Sequence, residues 1–353
     1  QLVLRSDGCG RKPILQQMVA EVGGQPVIEN AVGDCLAMGD DVIRDGAIPL
    51  TVGFILERGS MRGDLTTAIK KGYLKFSHQA RIAIDPDASE SAYSPEQVGG
   101  YGANKFTLSA VMAGVKTDKF AHRSRIAAGQ PVVGLSEDGF GVNGAGLILK
   151  ILRKQFGTLF QRNRAFKEDQ DVAEGITRAA TMYTPWILYA IGDISEEPRL
   201  PSAVTPAISA ITGMIHITHG SFPSRVASAL KQTGLGMELH NLFPPPEFLK
   251  KIKRWGRLSS EVFYRTFGAG QRFLIIVENE ERANQLIELI DEYNKIELCR
   301  AGAFLNEYGF ARKPGHVRAK IVGHVIKEPW TIIHDASVER RKMPLAYPIP
   351  YNV

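Results

Sequence analysis

The sequence is poor in cysteine and has no long apolar run. Its 353 residues include three cysteines, Cys9, Cys35 and Cys299, an odd number spread far apart. This pattern argues against a disulfide framework and against a clustered metal site, and it predicts reduced thiols. No apolar stretch approaches the ~20 residues that span a bilayer, and the first residues show no signal-peptide pattern. We therefore expect no membrane association and a cytoplasmic location.

The excess of positive over negative residues is also small. The chain has 43 Lys and Arg against 37 Asp and Glu, a formal net charge of +6, and the basic residues are spread along it. The densest basic cluster, 250–257, is typical of a helix surface. We therefore expect no nucleic-acid partner. Steering of a phosphorylated small-molecule substrate explains a basic surface equally well.

The composition and patterning indicate a two-domain α/β protein. Hydrophobic residues make up 44% and charged residues 23%, as in soluble globular proteins. Short apolar runs alternate with segments of helical periodicity, which predicts an α/β or α+β fold. We predict a first domain over 1–128, a second α/β domain over 129–327 and an extended tail over 328–353. Predicted strands are 49–57, 106–115, 132–136, 213–218, 272–279 and 320–326, with a helix over 281–294 and loops over 155–177 and 193–206.

An early glycine turn, SDGCGRK (6–12), is the first candidate site. It follows an apolar run and precedes a helical pattern. Gly8 and Gly10 let the backbone approach a phosphate, and Lys12 supplies a positive charge. Asp7 is suited to hold a divalent cation between phosphate oxygens. The alternative is an ordinary turn.

The second candidate is an acidic segment, GDCLAMGDDVIRDGAIPL (33–50), which we interpret as a helix. Residues 34, 38 and 41 then share one face. Asp34 and Asp41 on that face are suited to bind Mg²⁺ and a triphosphate, with Asp7 as a third oxygen ligand. The alternative is an acidic face in contact with solvent.

The third candidate is the loop SEDGFGVNG (136–144), which lies between a predicted strand and a helix. Free backbone N–H groups and the helix dipole converge in such a place and favour an anion. Gly139, Asn143 and Gly144 are the residues we assign to this site. The alternative is a β-to-α turn that uses Asn143 and Gly144 for positive φ.

The fourth candidate follows a buried strand, at HITHGS (216–221). His216 and His219 are suited to proton transfer and to donating a hydrogen bond to phosphate, and Arg225 is suited to clamp an anion. The partners that a zinc site or a Ser-His-Asp triad would need are missing at diagnostic spacing. The alternative is that these histidines are satisfied core residues.

Taken in order, these segments resemble the aminoimidazole ribonucleotide synthetase superfamily. DGCGRK (7–12) resembles the family's DGxGTK motif, and 37–50 resembles its helix ending in GAxPL. SEDGFGVNGAGL (136–147) is similar to its SSGxHSNGYSL loop, and HITHGS (216–221) to its HxTGGG strand end. The segments 177–187, 241–252 and 262–277 resemble three further family stretches. The resemblance covers about residues 7–326.

The resemblance implies a fold, a reaction and a set of site residues. The implied N-terminal half forms a homodimer through its sheet, and ATP binds in the cleft beside an α/β half. The implied reaction uses ATP and Mg²⁺ to phosphorylate the formyl oxygen of formylglycinamidine ribonucleotide, which allows ring closure to aminoimidazole ribonucleotide. His216 and Lys12 are the implied catalytic residues. The other implied nucleotide contacts are Asp7, Gly8, Gly10, Asp34, Gly139, Asn143, Gly144, Thr218, Gly220 and Arg225.

The sequence also departs from the family motifs. Arg11 stands at the threonine of DGxGTK, and His219 and Ser221 stand at two glycines of HxTGGG. Two alternatives to the cyclo-ligase therefore stay open. One is a paralogue that binds ATP without catalysis, and the other is a relative of selenophosphate synthetase or thiamine-monophosphate kinase.

Overall fold

The computed structural model describes residues 1–24, 26–60, 63–102, 104–116, 125–192, 211–334 and 344–350. Within these ranges the chain forms two β-sheets with helices packed on them, which confirms the α/β fold class. None of the helices in these ranges is both long and apolar enough to cross a membrane. The predicted loop over 193–206 lies outside the described residues.

The first sheet is built from the N-terminal part of the chain. Its strands are β1 (Leu2–Gly8), β2 (Ala47–Arg58), β3 (Ala83–Ile84), β4 (Glu90–Tyr93) and β5 (Phe106–Lys116). They follow the order β1-β5-β2-β3, and β4 also pairs with β2. Helices α2 (Pro26–Leu36) and α4 (Gly63–Ala80) share one apolar core with this sheet. Side chains of β2 and β5 alternate between this core and the opposite face, as in a sheet covered on one side.

The second sheet has the order β12-β11-β8-β10-β6-β9-β7. Its strands are β6 (Pro131–Ser136), β7 (Ile211–His216), β8 (Gly236–Leu239), β9 (Gln271–Val277), β10 (Ala319–Ile326), β11 (Trp330–Ile333) and β12 (Leu345–Pro348). Every residue of β6, β7 and β9 is buried. Helices cover both faces of these strands, which explains why their sequences are continuous apolar runs.

The remaining helices connect and cover the two sheets. They are α1 (Lys12–Gly23), α3 (Gly39–Ile43), α5 (Ala145–Phe156), α6 (Arg164–Glu168), α7 (Gln170–Thr177), α8 (Thr184–Ala190), α9 (Ser221–Leu230), α10 (Glu247–Trp255), α11 (Ser260–Thr266) and α12 (Glu280–Tyr308). Three apolar residues of α1, Leu15, Met18 and Val19, belong to the core of the second sheet. The N-terminal part therefore contributes a helix to the other half.

The structure corrects three details of the sequence interpretation. The segment 33–50 is not one helix, because α2 ends at Leu36 and a turn precedes α3 and β2. The segment 155–177 holds α6, α7 and a short 3-10 helix (Phe160–Arg162) rather than loops. The predicted tail supplies β11, which pairs with β8, and β12, which pairs with β11. These strands extend the second sheet.

Candidate functional site

A cavity of about 420 Å³ lies between the first sheet and the second. All four segments singled out in the sequence contribute residues to its lining. Strand β1 and the glycine turn form one wall, α2 and α3 form another, and the loops after β6 and β7 close it. The lining residues are Arg5, Ser6, Asp7, Gly8, Gly10, Asp34, Cys35, Ala37, Met38, Asp41, Arg44, Val142, Asn143, His216, Thr218, His219, Arg225 and Arg272.

Lys12 and Asp34 form a buried ion pair at the back of this cavity. The Lys12 ammonium donates to Asp34 Oδ1 at 2.6 Å, and both side chains are 0% exposed. It also donates to the carbonyl oxygens of Gly141 at 2.7 Å and Arg178 at 2.6 Å. The three N–H donors of Lys12 are therefore all used. The sequence suggested that Lys12 contacts a phosphate, whereas the structure turns it to the protein interior.

Asp34 is as fully engaged as Lys12. Its Oδ1 also accepts the Ala180 amide at 2.8 Å, and its Oδ2 accepts from Gln16 Nε2 at 2.8 Å. Burial raises the pKa of Asp34, while Lys12 and the other donors oppose that shift. Asp34 lines the cavity, but its carboxylate is committed to holding α1, α2 and the segment before α8 together.

The loop after β6 delivers a helix N-terminus to the cavity. Gly144 has φ +88° and precedes α5, and Asn143 lines the cavity wall. A side chain at position 144 would meet Phe267 at 2.3 Å, so both the backbone and the space require glycine. Gly139 lies further back, where its amide donates to Glu137 Oε1 at 3.0 Å. Of the residues assigned to an anion site, the structure thus places Asn143 in the cavity lining and Gly144 directly before α5.

The turn after β7 delivers a second helix N-terminus. Gly220 has φ +78° and precedes α9, while Thr218 and His219 line the cavity. Ser221 has φ +50°, a backbone region that favours glycine. Its hydroxyl donates to the Phe267 carbonyl at 2.8 Å. The chain therefore keeps a glycine-like backbone at a position where the related motif has glycine.

His216 and Asp41 form a polar pair inside the cavity. His216 Nδ1 lies 3.1 Å from Asp41 Oδ1, and His216 is buried. Burial lowers the pKa of His216 to about 4, although the attraction of Asp41 opposes this shift. Burial would raise the pKa of Asp41, but His216 and Arg44 outweigh it and hold that pKa low. At neutral pH the imidazole is neutral and donates Nδ1–H to the carboxylate. The lone pair of Nε2, which is buried without a partner among the described residues, is then free.

Two arginines bring further cationic donors to this place. Nε of Arg225 and Nε and Nη1 of Arg272 are buried and have no hydrogen-bond partner among the described residues. Arg272 Nη1 lies 3.7 Å from Glu137 Oε2. Burial opposes the charge on Arg272, but Glu137 and other acidic groups outweigh it and raise the pKa of Arg272. Such donors are expensive to bury unpaired, and an anionic ligand would satisfy them.

The sequence predicted Arg225 but missed Arg272, Arg5 and Arg44. Arg272 had one readable signal, a charged residue inside the apolar strand RFLIIV. A charge in a buried strand needs a partner or a ligand. Arg5 and Arg44 gave no comparable signal, because each is a single basic residue beside polar neighbours. Arg5 pairs with Asp45, and Arg44 with Asp41 at 3.0 Å.

The three predicted magnesium ligands are not assembled as a set. In the ranges that the structure describes, no group of three or more His, Cys, Asp or Glu side chains is placed to hold a metal ion. Asp34 is bound by Lys12, and Asp41 by His216 and Arg44. Asp7 Oδ1 accepts the Gly8 amide at 2.7 Å. Of the three, Asp7 alone carries no ion pair to another described residue.

The chain is similar in sequence to proteins of one enzyme family. No protein-family model matches the chain. A phosphoribosylformylglycinamidine cyclo-ligase of Methanocaldococcus jannaschii is 30% identical over 297 residues, which cover 83% of this chain and 75% of that protein. The enzyme of the same name from Pseudothermotoga lettingae is 27% identical over 293 residues, covering 80% of each.

A solved structure with the same fold is the Escherichia coli hydrogenase maturation protein HypE. Its TM-score is 0.53 at 16% identity, over 99% of this chain and 88% of HypE. This likeness supports the fold alone. The 30% identity to the enzyme of Methanocaldococcus jannaschii assigns this chain to the phosphoribosylformylglycinamidine cyclo-ligase family.

Proposed function

We propose that this protein is an ATP-dependent cyclo-ligase that acts on formylglycinamidine ribonucleotide or a closely related phosphorylated amide. The observation that carries the proposal is the meeting of unpaired cationic donors, two helix N-termini and a neutral histidine in one cavity. Bound ATP would supply the phosphoryl group that turns a substrate oxygen into a leaving group. The protein's own contribution is to hold phosphates, orient the substrate and accept a proton.

The phosphate contacts come from the starts of α5 and α9 and from two arginines. Backbone N–H groups at a helix N-terminus and the helix dipole favour an anion. Arg225 and Arg272 would donate their unpaired N–H groups to phosphate oxygens, as charge-assisted hydrogen bonds. Electrostatic clamping of this kind is the main contribution of a protein to phosphoryl transfer. ATP therefore fits the donors that the cavity offers.

His216 is the proposed general base. Asp41 holds the imidazole by its Nδ1–H, which fixes the tautomer and leaves Nε2 to accept a proton. Ring closure requires a nitrogen of the substrate to lose a proton as it attacks carbon, and a neutral imidazole can take it. Asp41 thereby acts as a positioning residue for His216, and this occupation explains why it is not free for a cation.

Magnesium would reach the site with the nucleotide. The predicted ligand set of Asp7, Asp34 and Asp41 does not fit a cation held by three carboxylates, because two of the three are already paired. Magnesium commonly uses one or two carboxylates together with phosphate oxygens. We therefore propose Asp7 as the protein contact of Mg·ATP and draw no catalytic step from the metal.

The direct test is turnover. The protein is incubated with formylglycinamidine ribonucleotide and Mg·ATP, and aminoimidazole ribonucleotide and ADP are followed by mass spectrometry. We expect one ADP for each product molecule. We expect His216→Ala to lower turnover by roughly 100-fold or more and to leave the Kd for Mg·ATP nearly unchanged. His240→Ala, at an exposed position after β8, is the matched control.

A second candidate is a paralogue that binds nucleotide without turning it over. The observation that favours it is His219, which lines the cavity at a glycine of the related motif. Isothermal titration calorimetry with Mg·ATP separates the possibilities. Binding without product supports the paralogue, and absence of binding contradicts both candidates. If His219→Gly then creates turnover on formylglycinamidine ribonucleotide, the imidazole at 219 is what blocks the family reaction.

We also propose a homodimer formed through the first sheet. The face of this sheet opposite α2 and α4 exposes apolar side chains of β1, β2 and β5, among them Leu2, Leu4, Ile55, Val111 and Val115. In the ladder Leu2 lies opposite Val115, which makes the apolar surface continuous across two strands. Exposed contiguous apolar surface of this kind is typical of an interface.

A further inference from the structure

Two of the three cysteines meet beside the cavity. Cys9 Sγ lies 3.0 Å from Cys35 Sγ, although 26 positions separate them in sequence. The two residues are 1% and 4% exposed. Cys9 belongs to the glycine turn after β1, and Cys35 belongs to the last turn of α2. Cys299 is exposed on α12. The spacing of Cys9 and Cys35 along the chain has no diagnostic value, so their contact could not be predicted.

We propose that Cys9 and Cys35 form a reversible dithiol–disulfide site in the cavity wall. The two sulfurs would need to approach each other by about 1 Å to reach the length of a disulfide bond. The oxidant that we name is a small disulfide. One such molecule, RSSR, converts the two thiols into a disulfide and leaves as two RSH molecules, so that both electrons and both protons pass to the oxidant.

The cavity gives the oxidant a route to Cys35. Cys35 is among the lining residues, and a space of about 420 Å³ has room for a small neutral disulfide. The Cys35 thiolate attacks one sulfur of RSSR, forms a mixed disulfide and releases the first RSH. Cys9 then attacks the Cys35 sulfur and releases the second. This order places the entry step at the thiol that the cavity exposes.

The environment of Cys9 suits the second step. Its hydrogen bond with Cys35 and, to a smaller extent, its burial raise the pKa of the Cys9 thiol, and the Lys12 ammonium opposes the shift. In the mixed disulfide the Cys35 sulfur carries no proton and no charge, so it no longer opposes the Cys9 thiolate electrostatically. One cause of the raised pKa of Cys9 is thus lost when Cys9 must act as a nucleophile. In the reduced protein the raised pKa keeps Cys9 as a thiol, which reacts more slowly with oxidants than a thiolate.

The bond would connect two walls of the ligand site. Cys9 stands between Gly8 and Gly10, which line the cavity, and the disulfide would tie this turn to α2. A bound ligand would cover Cys35 and slow its oxidation. Because the sulfurs must approach each other to form the bond, oxidation shifts the turn against α2 and should weaken binding of the same ligand. This second part rests on the proposed function, since it takes Mg·ATP as the ligand, whereas formation of the disulfide does not.

The test uses the full chain with Cys299→Ser, which removes the exposed thiol and prevents cross-linking between molecules. The protein is treated with 2-hydroxyethyl disulfide, denatured in acid and analysed by intact mass and thiol counting. We expect the loss of two hydrogens, no free thiol and full recovery with dithiothreitol. Two free thiols after treatment at a concentration that fully modifies Cys299 in the natural chain would overturn the proposal.

Two further variants test the order of the steps. With Cys9→Ser and Cys299→Ser together, Cys35 remains alone and should accumulate one mixed disulfide. With Cys35→Ser and Cys299→Ser together, Cys9 should stay unmodified over the same time. The opposite pattern would overturn the assignment of Cys35 as the entry thiol. Far-ultraviolet circular dichroism confirms that each variant is folded.

The effect of Mg·ATP on the dithiol site is measured separately. We expect saturating Mg·ATP to slow disulfide formation at least several-fold, and the oxidised protein to show a higher Kd for Mg·ATP than the reduced protein. If the disulfide forms at the same rate with and without Mg·ATP, and calorimetry shows no nucleotide binding, the dithiol site stands and the proposed function fails. If nucleotide binds but no disulfide forms, the dithiol site fails and the proposed function stands.

Discussion

At the scale of single residues, Lys12 has the side chain expected of a phosphate contact, but in the structure it stabilises the fold. Its ammonium holds Asp34, the Gly141 carbonyl and the Arg178 carbonyl in a site without solvent. We expect Lys12→Met to lower the free energy of unfolding by about 3–5 kcal/mol, because it leaves the Asp34 charge buried and unpaired. Urea unfolding followed by circular dichroism measures this change.

The control for this prediction removes both charges. Lys12→Met combined with Asp34→Leu should recover part of the lost stability, since no unpaired charge remains. A Lys12→Met protein with unchanged stability and weakened Mg·ATP binding would contradict the structural role and return Lys12 to the phosphate site.

Asp40 provides a pH dependence of stability. Its Oδ1 accepts the amides of Tyr183 and Thr184, while Oδ2 is buried without a partner in the described part of the chain. Burial raises the pKa of Asp40 from 3.8 to about 8, although Arg272 and the hydrogen bonds oppose the shift. Between these two values the folded state binds more protons than the unfolded state. The free energy of unfolding therefore falls as the pH rises.

The variant Asp40→Asn should remove this dependence. Its amide oxygen can still accept the two backbone amides, and it has no proton to lose. Between pH 6 and pH 8 we expect the natural chain to lose stability, by on the order of 1 kcal/mol per pH unit, and the variant to lose clearly less. Urea unfolding at both pH values measures the difference. Equal slopes for the two proteins would show that Asp40 is ionised throughout.

The sequence predicted the residues of the site better than their partners. The glycine turn, Asp41, Asn143, His216 and Arg225 all line one cavity, as their order along the chain indicated. The roles of Lys12 and Asp34 could not be predicted, because their acceptors and donors lie more than 100 residues away, at positions 141, 178 and 180. The same holds for Arg272, whose neighbours come from other strands and helices.

At the scale of elements, the turn between β7 and α9 carries a backbone that suits glycine better than serine. Ser221 has φ +50° and its hydroxyl reaches the Phe267 carbonyl. Ser221→Ala keeps the unfavourable backbone and loses the hydrogen bond, whereas Ser221→Gly loses the bond but relieves the backbone. We expect the alanine variant to be less stable than the glycine variant by about 1–2 kcal/mol. Thermal unfolding of both variants measures the order, and the reverse order would refute the left-handed backbone.

How well a strand or helix could be predicted from the sequence depends on how many of its faces are buried. Strands such as β6 and β9 are covered on both sides, so their apolar runs identify them directly. The edge strand β12 and its neighbour β11 have only four residues each, of which some are buried and some exposed, and the prolines nearby suggested an extended tail. The break between α2 and α3 falls in a buried segment of helical character, and periodicity alone does not reveal it.

At the scale of the whole molecule, the exposed face of the first sheet predicts the oligomeric state. We expect a dimer at micromolar concentration in light scattering coupled to size exclusion. Leu4→Glu combined with Val111→Glu should shift it to a monomer, because both carboxylates would lie on the apolar face.

The control for the dimer is Leu298→Glu, a change at a 62% exposed position on α12. This variant should remain a dimer. A natural chain that is monomeric at all concentrations, or a monomer produced by the α12 control as well, would refute the sheet face as the interface.

The buried pair of Lys12 and Asp34 also determines how ligands exchange. If the second half moved away from α2, the Lys12 ammonium would lose its hydrogen bonds to the Gly141 and Arg178 carbonyls. The hydrogen bond between Asp34 and the Ala180 amide would also break. An opening that costs about 3–5 kcal/mol is populated in fewer than about one molecule in a hundred. We therefore expect entry and release to depend mainly on rearrangement of the arginine and histidine side chains that line the cavity. Structures with and without nucleotide should superimpose across both halves, with no hinge between them.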